Sequence, residues 1–142
     1  MPPTRDDHDL TDALLRLSCV LEGIKGELCK GLGLTSQQAQ LLTMVETGER
    51  THGELASLLY CDKTNVTGLV DRLERRGLVR REPDARDRRV LRVFLTERGR
   101  EVVTRFRDAV GTAVADHLGS WPADRRGELA GFARAAAETL RG

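Results

Sequence analysis

Residues 55–81 read LASLLYCDKTNVTGLVDRLERRGLVRR, and their punctuation sets the fold. Thr51 stands ahead of this stretch with Glu54 three residues on, the spacing of a capping box, so a short helix begins there with Leu55, Leu58 and Leu59 turned inward. Tyr60-Cys61 interrupts the apolar period, and Asp62 is a good N-cap for a second helix. In that helix Val66, Leu69, Val70 and Leu73 form one stripe, and Gly77 supplies a C-terminal stop. Two short helices joined by a few residues make a helix-turn-helix, an arrangement that also occurs in plain bundles.

After Gly77 the period changes. Leu78–Glu82 and Val90–Leu95 are short runs rich in branched or aromatic residues, separated by the polar segment Pro83 to Arg89. This predicts a two-stranded wing. On the other side, Thr35 with Gln38 is a second capping box, opening a helix that runs to about Glu46 before Gly48. Earlier still, Leu10, Leu14, Leu17, Leu21, Ile24 and Leu28 recur at helical steps between Asp9 and Lys30, and Gly31-Leu32-Gly33 ends the run. Thr96 caps a long helix carrying Val103, Phe106, Val110, Val114 and Leu118, and Pro122 begins a last one with Leu129, Phe132, Ala136 and Leu140. The fold class expected is mainly α with a small two-stranded β-wing. A winged helix-turn-helix occupies residues 35–99, between terminal helical regions at 9–34 and 100–142, in one domain.

Composition agrees with a folded chain: of 142 residues, 39% are hydrophobic and 32% charged, unlike disordered or collagen-like sequences. No stretch approaches the roughly 18 apolar residues of a membrane span, and Met1-Pro-Pro-Thr-Arg-Asp-Asp-His has no apolar run of a signal peptide, so a cytoplasmic protein is expected. Cys19, Cys29 and Cys61 are odd in number and lack a CxxC spacing, which suits reduced thiols better than disulfides or zinc. His8, His52 and His117 have no ligand-like spacing, so no metal or cofactor is expected. With no GxGxxG, P-loop or HExxH motif and no Ser/His/Asp order, an enzyme is not expected either.

Net charge is uninformative, with 23 cations against 22 acids. Its distribution is not: between Asp71 and Arg92 nine arginines face five acids, whereas Met1 to Lys30 holds four cations and six acids. Neutralising phosphates and releasing counterions needs such a concentration, although a solvated hairpin would look the same. Beside the basic loop, the helix after Asp62 begins with Lys63, Thr64, Asn65 and Thr67, short polar side chains able to reach base edges when a helix N-terminus enters a major groove. Duplex DNA is therefore the expected partner. The rival reading is a protein-interaction module whose Arg-rich wing meets an acidic partner. RNA is disfavoured, since five aromatics form no stacking platform.

At these residues the sequence resembles the MarR family of bacterial transcription regulators. The quoted stretch is similar to that family's recognition segment; Asp87-Arg88-Arg89 and Leu95-Thr96-Glu97-Arg98-Gly99 resemble its wing motif and the entry to its fifth helix. The resemblance implies a triangular homodimer held by the first and last two helices, repressing at a pseudo-palindromic operator. It places the major-groove readers on Lys63, Thr64, Asn65 and Thr67, backbone contacts on Arg72 and Arg75, and wing arginines on Arg86, Arg88 and Arg89, with Asp87 pairing an Arg to fix the loop. Gly68 departs from it, since many members carry a larger, often basic residue there. The dimer is also expected because Val103, Phe106, Val110, Trp121, Phe132 and Leu140 exceed what one small winged helix needs to cover.

The resemblance further implies a small aromatic or anionic effector in a cleft lined by Leu21, Leu28, Met44 and Phe106, positions that are equally ordinary core. Cys61, next to the Asp62 cap, is either a redox switch at the DNA-facing turn or a small filler in it. Cys19 and Cys29 lie off the main apolar stripe of the first helix, where they would be exposed or at the dimer contact. The family's hydroperoxide-sensing branch uses an early helix-one Cys with tyrosine partners; here that position falls near Thr11 and the only Tyr is Tyr60, so that mechanism is not implied.

Overall fold

A computed structural model describes residues 1–142 and divides them into two compact units, Met1–Ala109 and Val110–Gly142. The first unit runs α1 (Arg5–Leu32), α2 (Ser36–Glu46), β1 (Arg50–Thr51), α3 (His52–Leu58), α4 (Lys63–Arg75), β2 (Val79–Pro83), β3 (Leu91–Leu95) and the start of α5 (Glu97–Leu118). The second holds the end of α5 and all of α6 (Ala123–Arg141).

The capping residues read from the sequence are the ones that start these helices. Thr35 and Thr51 each accept from the backbone N–H three residues on at 3.1 Å, and Gln38 and Glu54 return the bond. Asp62 accepts from the Asn65 N–H at 2.8 Å, and Thr96 from the Gly99 N–H at 3.0 Å. Gly33 and Gly77 end α1 and α4 in the left-handed region, at φ 68° and 72°. The first helix begins earlier than its apolar stripe suggested, at Arg5, because Thr4 and Asp7 close a capping box of their own.

The wing is a three-stranded antiparallel sheet of order β1-β3-β2, not the two-stranded hairpin expected. Val79 pairs with Leu95 and Pro83 with Leu91, while Arg50 and Thr51 pair with Val93 and Arg92. Two polar residues carry no alternating pattern, so the third strand exists only through its partner.

The core of the first unit lies under α4. Val66, Leu69, Val70 and Leu73 are buried with Leu41, Leu42, Leu55, Leu78, Val79 and Val93. Each such side chain withdrawn from water contributes about 1.5–3 kcal/mol before entropy is subtracted. Leu58, expected inside with Leu55 and Leu59, is only half-buried. Cys29 is buried outright, correcting its expected exposure, and burial pushes its thiol pKa up. Val103 and Phe106 are likewise buried within the first unit, so they are not surplus apolar surface. Leu10, Leu14, Leu17 and Leu21 stay in water, since only the last turns of α1 pack.

Gly99 fixes how α5 leaves the sheet. A Cβ there would collide with the Leu78 carbonyl oxygen and crowd Leu95, and that carbonyl is held in place by the Thr96 N–H at 3.1 Å. Gly99→Ala is expected to cost about 1–3 kcal/mol through overpacking, seen as a lower urea midpoint at unchanged slope. An unchanged midpoint would show that β2 and α5 can separate freely.

Candidate nucleic-acid interface

The exposed face of α4 is built by elimination. Its buried stripe is satisfied by the core, which leaves Lys63, Thr64, Asn65, Thr67, Arg72 and Arg75 outward. Asp62 caps the helix from a turn in which Tyr60 alone among non-glycine residues takes positive φ, at 53°. Lys63, Thr64 and Asn65 are all exposed in the first turn, beside the unpaired N–H groups of a helix start. Thr67 is exposed too, but its hydroxyl donates back to the Lys63 carbonyl at 2.9 Å.

Thr67 also touches His52, whose Nδ1 lies 3.4 Å from its Oγ1. With the hydroxyl proton directed to Lys63, an Nδ1–H imidazole would complete this contact, and the other ring nitrogen is Nε2. That Nε2 is buried without a partner. Burial, aided by the Arg81 and Lys63 charges and opposed by Asp71, holds the His52 pKa below 6.5.

The wing loop is ordered by Asp84, which sequence reasoning missed. Its carboxylate accepts from the Arg86 and Asp87 N–H groups at 3.1 Å each and from Arg92 Nε at 2.6 Å. These bonds hold the Asp84 pKa below the usual carboxylate range, the Arg92 guanidinium most of all. Asp87 does pair with an arginine: Arg89 reaches it through both its backbone N–H and Nε at 3.1 Å. An acid followed by arginines in a turn was the only sequence signal, and it did not distinguish Asp84 from Asp87.

The nine arginines of the basic patch do different work. Arg80 pairs with Glu82 and lies 4.7 Å over the Phe94 ring, Arg81 bridges Asp71 and Glu74, and Arg89 and Arg92 pair within the wing. Arg76 donates to the Gly33 carbonyl at 2.6 Å. Arg72, Arg75, Arg76, Arg86 and Arg88, with Lys63, have no carboxylate partner; the carbonyls that Arg75 and Arg76 reach leave their charge uncompensated, so these six cations carry the outward field of α4 and the wing.

Beside them, Thr51, His52, Gly53, Lys63, Arg89, Val90 and Leu91 line a groove of about 390 Å³ between the start of α3, α4 and the wing. Cys61 is half-buried in the turn, its N–H bonded to the Ala56 carbonyl. Of the four residues assigned to an effector cleft, Leu21 is exposed and Leu28 and Met44 are half-buried. Phe106 packs with Leu34, Ala39, Leu42, Val102 and Val103 so closely that no water-sized guest fits, which makes it core. No cluster of three His, Cys, Asp or Glu side chains is placed to hold a metal ion.

This geometry has relatives. Residues 32–90 match the sequence profile of the MarR family. YsmB of Bacillus subtilis strain 168, described as an uncharacterized HTH-type transcriptional regulator, is 29% identical over 102 residues, which cover 71% of this chain and 70% of that protein. BadR of Rhodopseudomonas palustris, a transcriptional activatory protein, is 40% identical over 74 residues, 49% of this chain and 42% of its own. The structure of a MarR family protein from Bacillus stearothermophilus superposes with a TM-score of 0.85 at 25% identity, covering 100% of both chains.

The His52 geometry makes stability depend on pH. Unfolded His52 takes up a proton near 6.5 and the folded residue only at lower pH, so between the two values the unfolded chain binds more protons. Stability contributed by the neutral imidazole is whole above 6.5 and falls as pH drops through that window. In urea titrations at about pH 7.5 and 5.5, wild type should lose more stability than His52→Gln. Equal losses would show that the folded imidazole titrates like a solvated one.

Proposed function

We propose, from the premise that this chain belongs to the MarR family and is a DNA-binding transcriptional regulator rather than an enzyme, that it works in the cytoplasm as a homodimeric repressor. The observation that carries the DNA-reading surface is the set of six cations without a carboxylate partner, Lys63, Arg72, Arg75, Arg76, Arg86 and Arg88, left after the other four arginines of the patch are paired within the chain. In this reading the start of α4 enters a major groove. Lys63, Thr64, Asn65 and Thr67 lie at base edges, Arg75 meets the backbone, and Arg86, Arg88 and Arg89 carry the wing to the neighbouring minor groove, Asp87 holding the loop. Arg89 must share its guanidinium between Asp87 and phosphate, so Arg86 and Arg88 contribute more of the field.

Sco3205 of Streptomyces coelicolor, solved in complex with DNA, shares this fold with a TM-score of 0.77 at 22% identity. Repression follows the name of MprA of Escherichia coli K12, a transcriptional repressor 30% identical over 95 residues, which cover 65% of this chain and 54% of MprA.

The dimer face is supported by apolar surface left in water on each unit separately: Leu10, Leu14, Leu17 and Leu21 on α1, and Phe132 and Leu140 on α6. An amphipathic helix with a wet stripe of that length needs a partner. Two copies would present two α4 helices to the half-sites of a pseudo-palindrome. Relief of repression is assigned to a small aromatic or anionic ligand, or to oxidation of Cys61, which would put a polar sulfur species beside the cap of α4. CouR of Rhodococcus jostii, solved bound to p-coumaroyl-CoA, has the same fold with a TM-score of 0.79 at 24% identity.

Two measurements test this. Sedimentation at micromolar concentration should return the mass of two chains; the mass of one would remove the dimer. Gel-shift titrations at several salt concentrations should separate the contacts. Arg86→Ala with Arg88→Ala should weaken binding to operator and random duplex together and flatten the salt slope by about one unit per lost phosphate contact. Asn65→Ala should narrow the gap between the two duplexes by about 1–3 kcal/mol. Full affinity in the double wing variant would take the wing off the binding surface.

A further inference from the structure

At about 100° per residue, Thr64, Gly68, Asp71 and Arg75 lie along the line of α4 opposite its buried stripe of Val66, Leu69, Val70 and Leu73, with Arg72 further to one side. With the start of α4 seated in a groove, the approach is deepest along the first turns of that line and lessens toward Arg75, and Gly68, within those turns, has no side chain. Nothing inside the chain asks for that. Gly68 is helical with ordinary negative φ, and a Cβ built on it would meet only Arg72 Nη2, at a comfortable 3.7 Å. Alanine would fit and would strengthen the helix. The constraint that glycine answers therefore lies outside the chain.

Arg72 shows what uses the space. Its guanidinium folds back one turn to lie over Gly68, and it has no carboxylate partner, the adjacent Asp71 being taken by Arg81 at 2.7 Å. A planar, unpartnered fork lying beside Gly68 on a groove-reading helix has the donor geometry for the O6 and N7 acceptors of a guanine. We infer that Gly68 sets the depth of α4 in the major groove and that Arg72 reads a guanine edge through the gap it leaves, rather than contacting the sugar–phosphate backbone. The inference rests on the DNA-binding reading above and assigns within it the residue that carries G·C discrimination.

The test selects duplexes from a randomised pool with the full-length wild type, Arg72→Ala, Arg72→Lys and Gly68→Ala, then measures each variant on the wild-type consensus and on random duplex. Wild type should select a consensus with a G·C pair in each half-site that Arg72→Ala no longer prefers, the other positions being kept. On that consensus Arg72→Ala should bind about tenfold or more weakly, with random duplex changed by no more than a few fold. Arg72→Lys, which keeps the charge and loses the fork, should not restore the preference. Gly68→Ala should raise Tm by a few degrees and yet weaken consensus binding about tenfold. Selection of the same consensus by Arg72→Ala, equal losses on both duplexes, or undiminished binding by Gly68→Ala would overturn the inference while leaving DNA binding intact. Failure of the wild type to select any duplex would overturn both.

Discussion

The Glu74 carboxylate holds α4 and the wing in one frame. One of its oxygens accepts the Arg81 backbone N–H at 3.0 Å and the other the Arg81 guanidinium at 2.8 Å, so a side chain of α4 is bonded to both main chain and side chain of β2. Asp71, one turn earlier, takes the same guanidinium at 2.7 Å. Arg81 holds the Glu74 pKa below the usual carboxylate range. An exposed ion pair alone would contribute little. Here it closes over an apolar hinge of Leu73, Leu78 and Val79, all buried, and the αL turn at Gly77 leaves the chain no slack between helix and strand. The distance from α4 to the wing is thereby a property of the protein before any partner arrives.

The same economy runs through the other arginines. A net charge of +1 gives no long-range attraction for a polyanion, and nine arginines in twenty-two residues, counted alone, would make a uniformly positive lobe. Instead Asp84, Asp87, Glu74, Asp71 and Glu82 take up four of them to shape the wing and brace it against α4. The cations left over are few and placed, which favours register over indiscriminate adhesion. Asp84 has the largest structural part in this: an acid in a basic loop lowers its charge by one and in return fixes the backbone that presents Arg86 and Arg88.

Local physics was legible in the sequence and non-local physics was not. Thr35, Thr51, Asp62 and Thr96 announce helix starts because capping is settled within three residues, and Gly33 and Gly77 announce ends because only glycine takes αL without cost. The buried stripe of α4 follows from its period alone. Strand β1 escaped because Arg50 and Thr51 become a strand only by pairing with Arg92 and Val93, some forty residues away in the chain. Phe106 and Val103 carry the helical period of an interface residue and of a core residue equally well; only packing against Leu34 and Leu42 decides between them. The polar face of α4 was visible as residue types, whereas the division of arginines into paired and free needed coordinates, since each pairing spans elements or a turn.

In the proposed complex α4 and the wing read adjacent grooves as one body, once in each copy of a dimer. Hydroxyl-radical footprinting of the wild-type protein on its selected duplex tests it most directly, because cleavage reports minor-groove sugars strand by strand. Two protected segments related by a dyad are expected, about one helical turn or a multiple of it apart, each with a minor-groove patch flanking the unprotected major-groove centre that α4 would occupy. A single undivided footprint, or protection without any minor-groove patch at the flanks, would contradict it.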